Sequence, residues 1–131
     1  MNDYFSKVKD FILDLSFTIT HEDEENGVIV IENESEGIKN LVLALADPLL
    51  IVEQFIFELE DTHPDIYRKL LQKNRDIIHG AFVVDESGHR VIFRNTHELE
   101  NLDLNELQAT LNSLELLLSE YSEEIIELSK S

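Results

Sequence analysis

The sequence predicts an α+β fold: helix, antiparallel strands, helix, β-hairpin and a long C-terminal helix. Three observations carry this. Apolar residues recur at three-and-four spacing near both ends and once in the middle, β-branched and aromatic runs lie between them, and Gly, Pro, Asn and Asp mark the junctions. At 131 residues the chain makes one domain, 1–131, able to bury roughly two-thirds of the surface its unfolded form exposes.

Each element follows from its residues. Tyr4, Phe5, Val8, Phe11, Ile12 and Leu15 share a stripe on a first helix over 3–15, with Asn2 or Asp3 as N-cap. Phe17 and Ile19 alternate with Thr18 and Thr20 as a short strand, HEDEENG (21–27) is a charged turn ended by glycine, and VIVIENE (28–34) is a second strand. After a turn at Glu34–Gly37, the apolar stretch from Ile38 to Leu59 is interrupted by Asp47 and Pro48. Proline cannot donate to a ladder, so the stretch divides into strands near 39–46 and 49–59. Thr62, with Pro64 and Asp65 behind it, starts a second helix that ends near Asn74.

Ala81 to Val84 and Val91 to Phe93 alternate on either side of Asp85–Gly88, which has the residues of a hairpin turn closed by glycine. Asp103 and Glu106 form a capping box for the last helix. Its stripe runs Leu104, Leu107, Leu111, Leu114, Leu118, Tyr121, Ile125 and Leu128, widened by Leu117 and Ile126. Such a stripe suits a coiled-coil seam or packing across a sheet, and the widening favours the sheet.

Composition narrows the function. Acidic residues number 28 against 10 basic ones, a formal net charge of −18. Nucleic acid and anionic membranes are therefore disfavoured as partners, because both draw affinity from clustered Lys and Arg. The charge suits either simple solubility or a basic protein partner. Cysteine is absent, which removes disulfides, thiolate metal sites and a cysteine nucleophile, and no apolar run approaches a membrane span. The expectation is a cytoplasmic protein.

Residues that resemble chemistry read more simply as structure. Asp85, Ser87 and His89 have a hydrolase's residue types but no nucleophile elbow and no second glycine-rich loop to supply an oxyanion hole. HEDEEN lacks the alternating ligands of a calcium loop, and the histidines at 21, 63, 79, 89 and 97 show no paired helical spacing. No catalytic residue, metal site or cofactor is expected.

The sheet is the informative feature. In LLIVEQFIFEL one alternating set holds Leu49, Ile51, Phe55 and Phe57, and the other holds Leu50, Val52 and Ile56. Both faces are mostly apolar, as they are in 28–31 and 41–45. Strands of this kind are normally covered on both sides. The first and last helices can cover one face, and the short middle helix only part of the other. Either the sheet folds over on itself, or a second copy or a partner segment lies on it. The candidate contacts are Ile51, Phe55 and Phe57, or the opposite set Leu50, Val52 and Ile56.

A resemblance sharpens this. The order of elements looks like that of the type III secretion chaperones, the CesT/Tir-chaperone group, a two-layer sandwich. The run LLQKNRDIIHGAFVVDESGHRVIFRNTHELENLDLNELQATLNSL resembles the YbjN family through Asn74, Gly80–Phe82, Asp85–Gly88, Arg90–Arg94 and Leu102–Leu107. The resemblance implies a small acidic protein that forms a homodimer and binds an extended protein segment without chemistry. An acidic inhibitor or immunity-type protein neutralising a basic partner is the competing expectation.

Overall fold

In the computed structural model, which describes residues 4–59, 64–120, 122, 123 and 127, the elements follow the expected order. They are α1 (Tyr4–Asp14), β1 (Thr18–Asp23), β2 (Val28–Asn33), β3 (Ile38–Ala46), β4 (Leu49–Glu58), α2 (Pro64–Asn74), β5 (Ala81–Val84), β6 (Arg90–Glu98) and α3 (Leu104–Glu120). One six-stranded sheet runs β1-β2-β3-β4-β6-β5, with every pair antiparallel. The expected caps Asn2, Asp3 and Thr62, and the stripe residues Tyr121, Ile125, Ile126 and Leu128, lie outside the described residues.

α1 ends where Ser16 turns left-handed (φ 66) and the Phe17 N–H bonds back to the Ile12 carbonyl, a Schellman-type stop built on serine. β1 runs three residues further than its apolar alternation suggests, because His21, Glu22 and Asp23 continue the ladder opposite Val30, Ile29 and Val28. Backbone pairing, not side-chain hydrophobicity, extends it. A register shift at Thr20 accommodates the change from apolar to charged sequence.

The turn that follows is held by its own acid: Asp23 accepts from the Asn26 N–H and side-chain amide at 3.2 and 2.7 Å. Those bonds hold the Asp23 carboxyl below the usual range. At the other strand junction, Asp103 accepts from the Glu106 N–H at 2.7 Å, making the forward half of the expected box at the start of α3.

The core lies between the sheet and the helices. Ile29, Ile31, Leu41, Leu43, Leu50, Val52 and Phe93 on one face are wholly buried together with Val8 and Ile12 of α1 and Leu107 and Leu114 of α3. A buried polar link sets α3 across that face. The Asn95 amide donates to the Thr110 hydroxyl, which lies 2.8 Å from His97 Nε2. Burial holds the His97 imidazole below the usual histidine range, against the opposing pull of Glu106 at 3.9 Å, which suits a neutral ring accepting from threonine. Apolar burial on this scale, about 1.5–3 kcal/mol for each large side chain, is the main source of stability.

A second junction is strained electrostatically. Glu36, in the turn between β2 and β3, meets Glu115 of α3. The hydrogen bond between the two carboxyls, partial burial and the repulsion of Glu115 push Glu36 up to about 7, although the Asn33 amide at 2.6 Å opposes this. A carboxyl with a raised folded-state pKa holds its proton more tightly when folded. Its contribution is therefore complete at low pH and is lost as pH rises from the ordinary value of 4.5 through about 7. Glu36→Gln is expected to flatten this slope and to raise stability at about pH 8 by about 1 kcal/mol, after allowing for solvent screening. Urea unfolding across that window measures it, and an unchanged slope would remove the pair from the account.

Candidate partner-binding surface

The opposite face of the sheet is built from the alternate residues of the same strands. Register places Val28, Ala44 and Ile51 in one cross-strand row, Val30, Val42, Glu53 and Arg94 in the next, and Phe55, Ile92 and Val83 beyond. These apolar side chains are half-buried by one another, and Phe55 is 41% exposed. Among the described residues no helix spans this face. α2 reaches only its β5 margin, where Tyr67, Leu70 and Leu71 border Val83. Among the described residues the strands form one open layer, with no second sheet laid over it.

Two arginines pair with acidic neighbours within the face. Arg94 bonds Glu53 across the strands at 3.0 Å, and Arg90 lies 4.2 Å over the Phe55 ring while facing Asp85 at 3.6 Å. Register also brings Asp23, Glu32, Glu58 and Glu98 to this side at the ends of their strands, so the face has an apolar centre with acidic margins.

A bulge in β4 divides the six candidate contacts. Strict alternation would put Ile51, Phe55 and Phe57 together, but the register shifts between Phe55 and Phe57, so the face that Phe55 occupies is lost to Phe57. Ile51 and Phe55 lie on the open face. Leu50, Val52 and Phe57 lie under the helices, at 0%, 0% and 6% exposure, and Ile56 sits at the bulge, half-buried against the core. Gln54, also turned inward, bonds the Phe55 carbonyl at this point. The open face also contains Val28, Val30, Val42 and Ile92, which sequence reasoning did not single out. The apolar character of both sets in 28–31 and 41–45 was the available signal.

The two edges of the sheet differ. On β5, the Asn74 side chain accepts from the Phe82 N–H at 2.7 Å and donates to the Phe82 carbonyl at 3.2 Å. One amide thus takes the place of a neighbouring strand. β1 forms the other edge, with no further strand pairing to it among the described residues.

The hairpin tip uses its polar residues for support. The Ser87 hydroxyl donates to Asp85 at 2.6 Å and accepts from the His89 backbone N–H. The Ser87 bond is the main cause of a lowered Asp85 pKa. The His89 ring instead meets the Leu59 carbonyl at 3.1 Å, and Tyr67 donates to the Gly88 carbonyl at 2.7 Å. Glu86 and Ser87 at the tip stay exposed, while the base of the hairpin is tied to α2 and to the residue that follows β4. The His89 imidazole is not presented to the hydroxyl as a general base requires. Among the described residues, no three His, Asp or Glu side chains gather as metal ligands, and no helix is long and apolar enough to cross a membrane.

The CesT_Tir_1 family model matches residues 1–131. The chain belongs to this family. A comparison with curated protein sequences finds no match. Among solved structures, this CesT_Tir_1 chain superposes on a chain of the HopA1–SchA chaperone–effector complex with a TM-score of 0.62 at 13% identity, over 98% of this chain and 96% of that one. It superposes on YbjN from E. coli with a TM-score of 0.65 at 7% identity, over 91% of each. A chain from the complex of the Yersinia pestis type III secretion chaperone SycH with a stable fragment of YscM2 gives 0.60 at 17% identity, over 96% and 99%. At identities this low the superpositions show a shared fold alone, and the α+β architecture of this CesT_Tir_1 member is that of the type III secretion chaperones and of YbjN.

Proposed function

We propose that the chain is a noncatalytic, chaperone-like protein-binding module that acts as a homodimer and holds an apolar segment of a partner protein on its open sheet face. The observation that carries this is a six-stranded sheet apolar on both sides and roofed by helices on one. Exposed side chains such as Phe55 forgo burial worth about 1.5–3 kcal/mol each when fully covered, and a contiguous patch of them marks a contact surface. The family supports the reading, since structures of the same fold include a chaperone–effector complex and a chaperone bound to a protein fragment. β1, whose outer side pairs with no strand among the described residues, offers the partner backbone a place to extend the sheet.

The net charge of −18 favours one other reading, an acidic inhibitor of a basic protein. Salt separates the two, because screening weakens charge pairing and leaves apolar contact intact. A partner retained from native lysate is expected to survive a salt wash and to elute in mild denaturant. Ile51→Asp and Phe55→Asp are expected to reduce its retention at least about tenfold while costing only about 1 kcal/mol of stability. Salt elution, or retention unchanged in both variants, would defeat the sheet-face reading. Sedimentation equilibrium tests the homodimer independently.

A further inference from the structure

A second surface lies away from the open sheet face, between α3 and the loop that joins α2 to β5. α3 carries two lines of side chains. Leu107, Leu111, Leu114 and Leu117 face the sheet, whereas Ala109, Ser113 and Leu116 face the loop. The first two of that second line are too small to fill the space, which leaves an open groove of about 290 Å³. Ile77 and Leu117 line it from the core side, and Ile78 and Leu116 stand beside it at 87% and 59% exposure.

The loop is held, not loose. Its Ile77 N–H bonds the Asn74 carbonyl, Asn74 in turn fastens Phe82, and Gly80 lies directly against the Phe93 ring. Ile78 is therefore presented to solvent by a braced backbone, so little ordering entropy remains to be lost when something covers it. The cavity is open and at the small end of the range for small-molecule pockets, which favours side chains of a macromolecular partner. Its rim carries Asp76 and Glu120, on a chain of net charge −18.

The geometry points to a docking groove for a short basic amphipathic segment of a partner protein, with an apolar side chain seated between Ile78 and Leu116 and Lys or Arg beside Asp76 and Glu120. This is helix-in-groove recognition with complementary charge at the rim. It uses no residue of the open sheet face, so the two surfaces can be tested separately.

The probe is a fluorescein-labelled amphipathic helical peptide of leucine and lysine, titrated against the full chain by anisotropy at about 0.15 M salt, where long-range attraction is screened. Ile78→Asp and Leu116→Asp are each expected to weaken binding about tenfold. Leu13→Asp, which adds the same charge at an apolar α1 residue 53% exposed, is expected to stay within about twofold. Equal loss in all three variants, no loss in the groove variants, or a groove variant that changes the sedimentation of the chain instead of its peptide affinity would overturn the assignment. Circular dichroism melting of each variant confirms that it is folded before the titration is read.

Discussion

Gly80→Ala is expected to destabilise the protein by about 3 kcal/mol or more and to lower its midpoint by roughly 10 °C. Gly80 has a φ of 105°, a conformation that an L side chain rarely adopts, and an added Cβ would lie 2.4 Å from the Phe93 ring and 3.2 Å from the Arg94 carbonyl. Phe93 is completely buried, so its ring cannot swing into solvent to make room. The strain of the backbone and the overlap with a packed ring therefore add. Gly37→Ala isolates the two terms. That glycine also has a positive φ, 74°, yet nothing lies within 4 Å of the added methyl group. Its replacement is expected to cost only about 1 kcal/mol, the conformational part alone. Thermal and denaturant unfolding of the two variants measure the difference, and equal losses would show that the Phe93 contact relaxes freely.

Asn74→Ala is expected to cost about 2 kcal/mol and to promote association. Its side chain makes two hydrogen bonds to Phe82, so truncation leaves a donor and an acceptor of an edge strand without their partner. The same loss uncovers the β5 edge, and an uncovered edge is a template for pairing with another chain. Urea unfolding gives the first effect, and light scattering against concentration gives the second. Asn74→Asp separates them, because a carboxylate can still accept from the Phe82 N–H but cannot donate to its carbonyl. An Asn74→Ala protein as stable and as monodisperse as the parent would mean that the edge is protected by other means. Neither effect is visible from Asn74 as a helix terminator, the role that sequence assigns it. Its second role depends on β5 passing alongside.

Much of the architecture was legible in local pattern. The stripe of α1, that of α3 as far as Leu118, the division of 38–59 at Pro48, the turn at Asp85–Gly88 and the Asp103 cap all appear where period and turn chemistry put them, because each depends on residues within a few positions of one another. β1 was read too short because its last three residues are charged. They pair through their backbones with β2, and backbone hydrogen bonding leaves no hydrophobic signature.

The candidate surface was only half legible. Sequence alone determined an acidic α+β chain whose strands are apolar on both faces, since alternation and composition are properties of the chain itself. Only the tertiary structure decided that Ile51 and Phe55 face outward while Leu50, Val52 and Phe57 lie under helices. When both alternating sets are hydrophobic, burial energy does not distinguish them. The choice passes to long-range terms: the Thr110 link to Asn95 and His97 that seats α3, and the β4 bulge that moves Phe57 into the core.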